Sequence, residues 1–429
     1  MGVPAGTGGD HVRTAAGMAG MAGAKAARLS AALRAGFPVL PGWVVPSAES
    51  RPAVLAAAAV LRGGRPAAGR RAVLSHPSDP VLAAELREAA ARLGGRVIVR
   101  SSSQLEADPR WSGAFSTVAG VGPDDAMTAV RSCWASAFAV DPLARLDACG
   151  LPLEALELGI LLQPEICPAA GGVARAADGQ GSAEVVVEGV EGHPGALLAG
   201  WADAASARVR LPRPTGAGSH GGGSVPPAAD GPLLDLLGRD LVIAVARLAE
   251  GVRRCLGDEA IEWAVRDGQV WLLQSRPAPH GTRAVRAVGA PCRTGEPGPH
   301  LAARERMPLL GAAVQERGWH LRGRPAVAGQ AAGRLVACRP HERPPAASRD
   351  AILLIDRPLP ALAPLLFTAR GVLARSGAAG SHLAEVARSL AVPMVTDCRP
   401  ETVTGAGPPG ASWLAAIDGA TGDVALLQG

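Results

Sequence analysis

A stretch rich in Arg, Gly and Pro, residues 281–320, is the feature that most constrains how this chain folds. Its apolar residues show only weak periodicity, so it predicts a linker with at most one short helix and not part of a packed core. The sequence before it alternates helix and strand patterns, whereas the sequence after it consists mostly of short strands. We therefore predict a large lobe up to about residue 280 and a small lobe from about residue 322.

Two other stretches lie outside the predicted cores. Glycine and alanine dominate the first twenty residues, which we expect to be frayed. Residues 214–231 are of low complexity and predict a flexible insertion in the large lobe. The expected organisation is a flexible N-terminus at 1–20, a large lobe at 21–280, a linker at 281–321 and a small lobe at 322–429.

Strand and helix signals are mixed along the large lobe. Runs of β-branched or alternating residues predict strands at 96–100, 158–166 and 182–190. Residues 233–256 predict one long helix, and residues 261–277 predict a β-hairpin. The fold class expected from these patterns is α/β (α+β).

The composition limits both the cores and the partners of the chain. Hydrophobic residues make up 48% of the sequence but aromatic residues only 3%, so the cores must consist of Ala, Val and Leu. The formal net charge is +5, without a run of basic residues or aromatic residues between them. We therefore expect no nucleic-acid partner.

Cysteine usage and hydropathy indicate the compartment. Seven cysteines are scattered along the chain without a pair at Cys-x-x-Cys spacing, which argues against a disulfide framework and a zinc site. The sequence lacks an N-terminal apolar leader and an uninterrupted apolar run of about 18 residues. We expect a soluble cytoplasmic protein with no membrane partner.

Lys25 is the single lysine among 43 basic residues, the others being arginines. A lysine that escapes such a bias is a candidate for a role that a guanidinium cannot fill. An ammonium group is a compact charge on a flexible stem, suited to a site among phosphate oxygens. Small residues around Lys25 would let backbone approach an anion closely.

A second candidate site follows the strand at 96–100. Arg100 ends that strand and leads into three serines, a donor-rich place suited to phosphate. The segment at 112–117, Ser-Gly-Ala-Phe-Ser-Thr, could fold over a bound phosphate as a flexible lid. The alternative is a serine-rich turn with an ion-paired arginine.

The predicted hairpin carries polar side chains opposite an apolar face. Alternation separates Glu262 from its apolar neighbours and places Gln274 and Arg276 on one face. A three-residue loop centred on Gly268 would set Glu262 across from Gln274, where two oxygens could bind Mg²⁺ and Arg276 could meet a phosphate. A two-residue Asp-Gly turn would instead put Glu262 and Gln274 on opposite faces.

Together these motifs resemble the nucleotide-binding domain of the phosphoenolpyruvate synthase and pyruvate phosphate dikinase family. The family's GGKGxxL is similar to residues 23–29, and its RSSxxxED to residues 100–106. Its AGQQxT is similar to residues 112–117, and its DIEWA and LQxRP to residues 261–264 and 273–277.

This resemblance implies an ATP-grasp-like fold for the large lobe and the cofactors ATP and Mg²⁺. Glu262 and Gln274 are then the expected metal ligands. The expected ATP-binding residues are Lys25, Arg100, Gly113, Thr117, Gln163 and Arg276.

One histidine of the small lobe has a distinctive setting. His382 follows a Gly/Ala/Ser loop at the predicted start of a helix, where the helix dipole favours negative charge. A capped surface histidine would show the same pattern. The segment resembles the family's phosphohistidine domain, whose motif GGxTSHAA precedes ARxxxxP. By that resemblance the small lobe is a swivelling β/β/α domain and His382 carries the phosphoryl group. Ser381 and Arg388 would support it.

Three positions depart from the family pattern. The threonine before Ser-His is Gly380, the aspartate two residues before the hairpin glutamate is Ala260, and the acidic residue of the GLGE segment is Gly195. Lost carboxylates near the nucleotide could mean altered metal coordination, different chemistry or decay.

The resemblance implies that ATP phosphorylates His382 and that the small lobe then moves to an acceptor site. The chain ends soon after the phosphohistidine motif, so the family's pyruvate-binding barrel is not expected within it. The acceptor is then a small molecule bound between the lobes or a substrate on a separate protein. Alternatives are a condensing enzyme of secondary metabolism that uses a phosphoryl intermediate, and a degenerate nucleotide-binding subunit.

Overall fold

Three β-sheets organise the described part of the chain in a computed structural model. Helices cover the sheets of the large lobe, and one α-helix lies against the sheet of the small lobe. The described residues are 13–14, 21–61, 66–178, 182–212, 226–277, 319–340, 348–400 and 413–428.

The first sheet has the strand order β1-β2-β5-β3-β4, and all its pairs are antiparallel. Its apolar face packs on helices rich in alanine, around buried Trp111, Leu86 and Phe138. Strands β1 to β5 are Arg13–Thr14, Trp43–Val45, Val97–Ser102, Thr117–Val121 and Gly159–Pro164. Helices α1 to α6 are Ala24–Arg34, Arg51–Leu61, Pro66–Ser75, Pro80–Arg92, Ala126–Ser136 and Val140–Cys149.

The second sheet has the order β11-β10-β6-β7-β8-β9 and is also antiparallel. Helix α9 buries Val242, Val245, Ala246, Ala249 and Val252, which recur at helical spacing, against this sheet. Strands β6 to β11 are Ala170–Asp178, Ser182–Glu191, Ala205–Pro212, Ala228–Asp230, Asp258–Arg266 and Gln269–Pro277. Helices α7 to α9 are Gly195–Leu198, Leu233–Leu237 and Arg239–Leu256.

The third sheet forms the small lobe and has the order β12-β19-β18-β14-β15-β16-β17-β13. Its central pairs β14-β15, β15-β16 and β16-β17 are parallel, and the others are antiparallel. Helix α10, His382–Ser389, and a 3₁₀ segment, Pro360–Phe367, pack on one face. Strands β12 to β19 are Trp319–Arg322, Arg324–Val327, Gln330–Ala337, Ile352–Ile355, Gly371–Ala374, Met394–Thr396, Trp413–Asp418 and Asp423–Gln428.

Several element predictions need correction. The long helix at 233–256 is broken at Gly238, whose φ of 76° lies in the region that favours glycine. Strand β9 lies inside the predicted insertion, and strand β1 lies inside the predicted flexible N-terminus. Strand β12 includes the last residues of the predicted linker, while residues 278–318 lie outside the described part of the chain.

Candidate functional site

A cleft of about 860 Å³ opens where the two lobes meet. Its walls come from α1, from strands of both large-lobe sheets and from the start of α10 in the small lobe. Nine residues singled out in the sequence line it: Lys25, Arg100, Gly113, Thr117, Gln163, Glu262, Gln274, Arg276 and His382.

The hairpin β10–β11 sets Glu262 directly across from Gln274. Of the two loops considered, the two-residue turn is present, formed by Asp267 and Gly268 with φ of 53° and 74°. A register shift after Glu262 makes Leu273 an extra residue, and this bulge restores the opposition that the turn alone would prevent.

Arg100, on the first sheet, links this bulge to that sheet through two hydrogen bonds. Its Nη1 donates to the Leu273 carbonyl at 2.8 Å, and its Nη2 donates to Gln274 Oε1 at 3.0 Å. Because a bulged residue is left unpaired in its ladder, Arg100 satisfies a carbonyl that would otherwise lack a partner. The two large-lobe sheets are joined at the floor of the cleft by this contact.

Glu262 lies between two guanidinium groups. Arg276 forms a hydrogen-bonded ion pair with one carboxylate oxygen, and Arg100 Nη2 lies 3.6 Å from the other. Burial raises the pKa of Glu262, but Arg276 and then Arg100 outweigh it and leave that pKa below its usual value. The carboxylate is therefore ionised.

Lys25 supplies a third cation from the first turn of α1. Its Nζ donates to the Ser101 carbonyl at 2.7 Å and lies 3.1 Å from Glu106 Oε1. Burial lowers the pKa of Lys25, an effect that Glu106 opposes. The small neighbours predicted from the sequence are needed here: a Cβ on Gly23 would lie 2.3 Å from the Ser102 carbonyl oxygen.

His382 enters the cleft from the small lobe. Its Nδ1 lies 3.1 Å from Ser112 Oγ and 3.4 Å from a guanidinium nitrogen of Arg276. A guanidinium group can only donate, so in this arrangement Nδ1 is an acceptor and carries a lone pair. Burial, followed by the charge of Arg276, lowers the pKa of His382 to about 3. The ring is therefore neutral at physiological pH.

The backbone of Gly113 packs directly against the His382 ring. Its φ is 67°, and a Cβ at this position would lie 2.7 Å from Cδ2 and Cγ of His382. The glycine therefore serves two needs, a left-handed backbone and close approach of the imidazole. The sequence predicted Gly113 as an ATP-binding residue and gave no signal for its contact with His382.

The segment at 112–117 is anchored, in contrast to the predicted flexible lid. Phe115 is buried and stacks on Trp111 with ring centroids 5.8 Å apart. Buried Arg145 donates to the carbonyls of Arg110 and Ser112 at 2.8 and 2.9 Å. Sequence reasoning missed Arg145, because its partners are more than thirty residues away and no local pattern indicates the contact.

The other ATP-binding candidates lie on neighbouring strands. Thr117 pairs with Arg100 across β3 and β4, and buried Gln163 on β5 donates to the Leu40 carbonyl at 3.2 Å. His193 also lines the cleft, and burial lowers its pKa, with Arg100 adding to the effect. His193 was not among the residues predicted from the sequence, although it lies two residues before Gly195.

Ser381 caps the helix that carries the ring, and Arg388 lies within that helix. Ser381 Oγ caps α10 by accepting from the Ala384 amide at 3.3 Å. Arg388 donates to the carbonyls of Ala326 and Ala379 at 2.9 and 3.1 Å. In this arrangement the two candidates shape the start of the helix, and their direct support of a phosphoryl group stays a prediction.

The predicted metal ligands suit Mg²⁺ only in part. Glu262 and Gln274 present adjacent hard oxygens, which is the donor chemistry of a Mg²⁺ held mainly by substrate phosphates and water. Their oxygens contact Arg276 and Arg100, so Glu262 and Gln274 would hold Mg²⁺ only if these guanidinium groups moved to the phosphates. Within the described ranges no cluster of three His, Cys, Asp or Glu residues is placed to hold a metal on its own.

Two family models match this chain. Residues 64–214 match the pyruvate phosphate dikinase AMP/ATP-binding domain, and residues 347–422 match the mobile domain of PEP-utilising enzymes. The first range contributes Arg100 and the 112–117 segment to the cleft, and the second contributes His382.

Individual relatives add less. Prodigiosin synthesizing transferase PigC of Serratia marcescens is 30% identical over 295 residues, which is 62% of this chain and 32% of the relative. This chain thus matches about a third of that protein's length. Aconitase X of Thermococcus kodakaraensis, in its holo-form, covers 26% of this chain and 99% of its own at 15% identity. Its TM-score of 0.21 is too low to indicate a shared fold.

The fold and the site therefore define a two-lobed protein with an ATP-binding domain and a mobile phosphohistidine-type domain. Two domains of the phosphoenolpyruvate synthase and pyruvate phosphate dikinase family therefore match this chain, which confirms the resemblance and the fold class predicted from the motifs. Both matched domains are those of enzymes, one binding AMP or ATP and the other the mobile domain of PEP-utilising enzymes. In the described part of the chain, every helix is too short or too polar to cross a membrane.

Proposed function

We propose that this protein is an ATP-dependent phosphotransferase in which His382 accepts a phosphoryl group from ATP and passes it to a second acceptor. The observation that carries the proposal is the seating of His382 in the cleft, 3.4 Å from Arg276 and close to the other cations. A ring packed into its own lobe would have no route to a nucleotide.

The charge of the ring supports its role as a nucleophile. A pKa of about 3 leaves the imidazole neutral, so a ring nitrogen offers a lone pair to phosphorus. A nitrogen–phosphorus bond forms, a phosphorus–oxygen bond of ATP breaks, and its electron pair leaves on the nucleotide side. The proton on the second ring nitrogen is then released, which leaves a neutral imidazole ring that carries the anionic phosphoryl group.

The cations supply most of the catalytic effect in this scheme. Lys25, Arg100 and Arg276 would bind the phosphate oxygens, because positioning and charge neutralisation dominate phosphoryl transfer. Glu262 and Gln274 would hold Mg²⁺, which adds further neutralisation when bound. Arg276 contacts both Glu262 and His382, so it links the metal side of the cleft to the nucleophile.

The second half of the reaction requires the small lobe to leave the cleft. Phospho-His382 would then deliver its group to a small molecule, or to a substrate on a separate acceptor-binding protein. Hydrolysis of the phosphohistidine would compete unless this acceptor is at hand.

The test is incubation with Mg·ATP followed by intact-mass measurement at neutral and acidic pH. We expect one acid-labile phosphoryl group per chain, absent in His382→Ala and unaffected in His320→Ala, an exposed histidine of the small lobe. A His382→Ala variant that keeps full ATP turnover with the natural acceptor would refute the proposal. Nucleotide binding without turnover or phosphorylation would instead indicate a degenerate subunit.

A second candidate is a condensing enzyme of secondary metabolism, favoured by the similarity to a prodigiosin synthesizing transferase. In this reading the phosphoryl group activates one small molecule for attack by another, and phosphate is released. Product analysis separates the two proposals, since the first leaves a phosphorylated acceptor and the second leaves a new bond between two substrates.

A further inference from the structure

A charged cluster joins the lobes on the side of α10 that faces the second large-lobe sheet. Arg175 on β6 forms an ion pair with Glu385, which lies three residues after His382. Glu385 is buried, and its Oε1 also accepts from Arg388 at 2.9 Å. One carboxylate of the small lobe therefore lies between a cation of each lobe.

Glu188 on β7 approaches the same helix from the large lobe. A Cβ on Gly380 would lie 2.7 Å from Glu188 Oε2, so the carboxylate fills the space that a side chain would take there. The Ala379 amide donates to Glu188, and the charges of Arg175 and Arg388 oppose the rise that burial causes in the pKa of Glu188. Glu188 thus contacts the backbone of Ala379 and Gly380, just before His382. Gly380 is the position where this chain departs from the family's threonine.

The far end of the same loop is also held by the large lobe. The Gly377 amide donates to Asp203 Oδ1 at 2.9 Å, and Arg357 donates to the Trp201 carbonyl at 2.8 Å. Polar contacts from the large lobe therefore hold both ends of the loop that leads to His382.

We propose that Arg175 and Glu188 are positioning residues that seat the small lobe and align His382 with the nucleotide. This inference rests on the proposed function, since it assigns the alignment needed for the first transfer. The two residues act through Glu385 and the Gly380 backbone and do not touch the reacting atoms.

Ion pairs between the lobes suit an interface that must form and break in each catalytic cycle. The Coulomb gain of a buried ion pair is largely offset by desolvation, so the pair fixes geometry while adding little net affinity. An apolar patch of the same size would hold the lobe without fixing its register. When the small lobe leaves, all four charges regain water.

The first test is the single-turnover rate of His382 phosphorylation in Arg175→Gln at saturating Mg·ATP. We expect the rate to fall by about tenfold or more, because Glu385 loses its partner across the interface. ATP affinity should stay unchanged, and Arg175→Lys should recover part of the rate. The matched control is Arg253→Gln, which breaks a pair of similar exposure within α9.

A second readout does not depend on catalysis. The rate of His382 modification by diethyl pyrocarbonate, followed by peptide mass spectrometry, should rise in Arg175→Gln because the ring spends more time outside the cleft. If the wild-type protein were never phosphorylated, the proposed function would fail while this readout still tested the seat. Phosphorylation and modification rates equal to wild type in Arg175→Gln would overturn the inference.

Discussion

Gly113→Ala gives the sharpest test of the seated histidine. The new methyl group would lie 2.7 Å from two carbons of the His382 ring, closer than any ordinary contact, and would sit on a backbone with φ of 67°. The backbone strain, about 1–2 kcal/mol, is present whether the small lobe is seated or not. The steric clash exists only in the seated state and is of the kind that costs about 1–3 kcal/mol.

Only the steric clash changes the equilibrium between two positions of the small lobe: seated, with His382 in the cleft, and released, with His382 outside it. It predicts a fall of about 5- to 150-fold in the ratio of seated to released lobes, and a fall of up to the same factor in the single-turnover rate of His382 phosphorylation. The assay is quenched flow at saturating Mg·ATP, with the acid-labile phosphoryl group counted by mass spectrometry. ATP affinity, measured separately by calorimetry, shows whether the nucleotide site is intact.

Gly150→Ala is the matched control, since φ there is 63° and a Cβ would meet no atom within 4 Å. It carries the same backbone strain without touching the ring, so its transfer rate should equal that of the wild type. Equal transfer rates in the Gly113 and Gly150 variants would refute the argument that this close approach seats the imidazole.

The charged groups around the cleft give three other expected outcomes. Glu262→Gln removes the carboxylate between Arg100 and Arg276 and should lower the free energy of unfolding by about 3–5 kcal/mol, less with Mg·ATP present, in denaturant titrations. Burial and Arg276 lower the pKa of His382 to about 3, while Glu262, Lys25 and Arg145 also face the ring. The seated ring then binds fewer protons than a free imidazole between about pH 3 and 6.5, so a pH–rate profile should rise across that window, by up to about tenfold per unit, and flatten above it. Arg145→Lys loses hydrogen bonds to loop carbonyls and should cost about 1–3 kcal/mol in the same unfolding assay.

The local elements were largely predictable because their signals lie within short windows. Alternation identified the hairpin and the strands before and after it, and the loop before His382 predicted the start of a helix. The break at Gly238 was missed, because the apolar periodicity continues through it and a single glycine is often tolerated inside a helical pattern.

The site shows where prediction from sequence stops. Glu262 and Gln274 were expected to face each other only with a three-residue loop, whereas the structure brings them together through a bulge whose Leu273 carbonyl accepts from Arg100 on another sheet. Lys25 drew attention through its rarity, and the structure places it in the cleft.

No local pattern in the sequence predicted the contacts between the lobes. Arg175 and Glu188 lie in strands like many other charged residues. Their role comes from contacts with the small lobe, which only the tertiary structure shows. The same holds for Gly113, whose freedom of backbone conformation was foreseeable but whose neighbour was not. Long-range partners of this kind follow from the tertiary fold and cannot be read from a local pattern.

The most direct test of the account is to locate the phosphoryl group after a single exposure to Mg·ATP. Peptides prepared and sequenced by mass spectrometry at alkaline pH, where phosphohistidine survives, should carry it on His382 in stoichiometric amount. The group should disappear on acid treatment and on addition of the true acceptor. A protein that consumes ATP with its acceptor while this peptide stays unmodified at every time point would contradict the account.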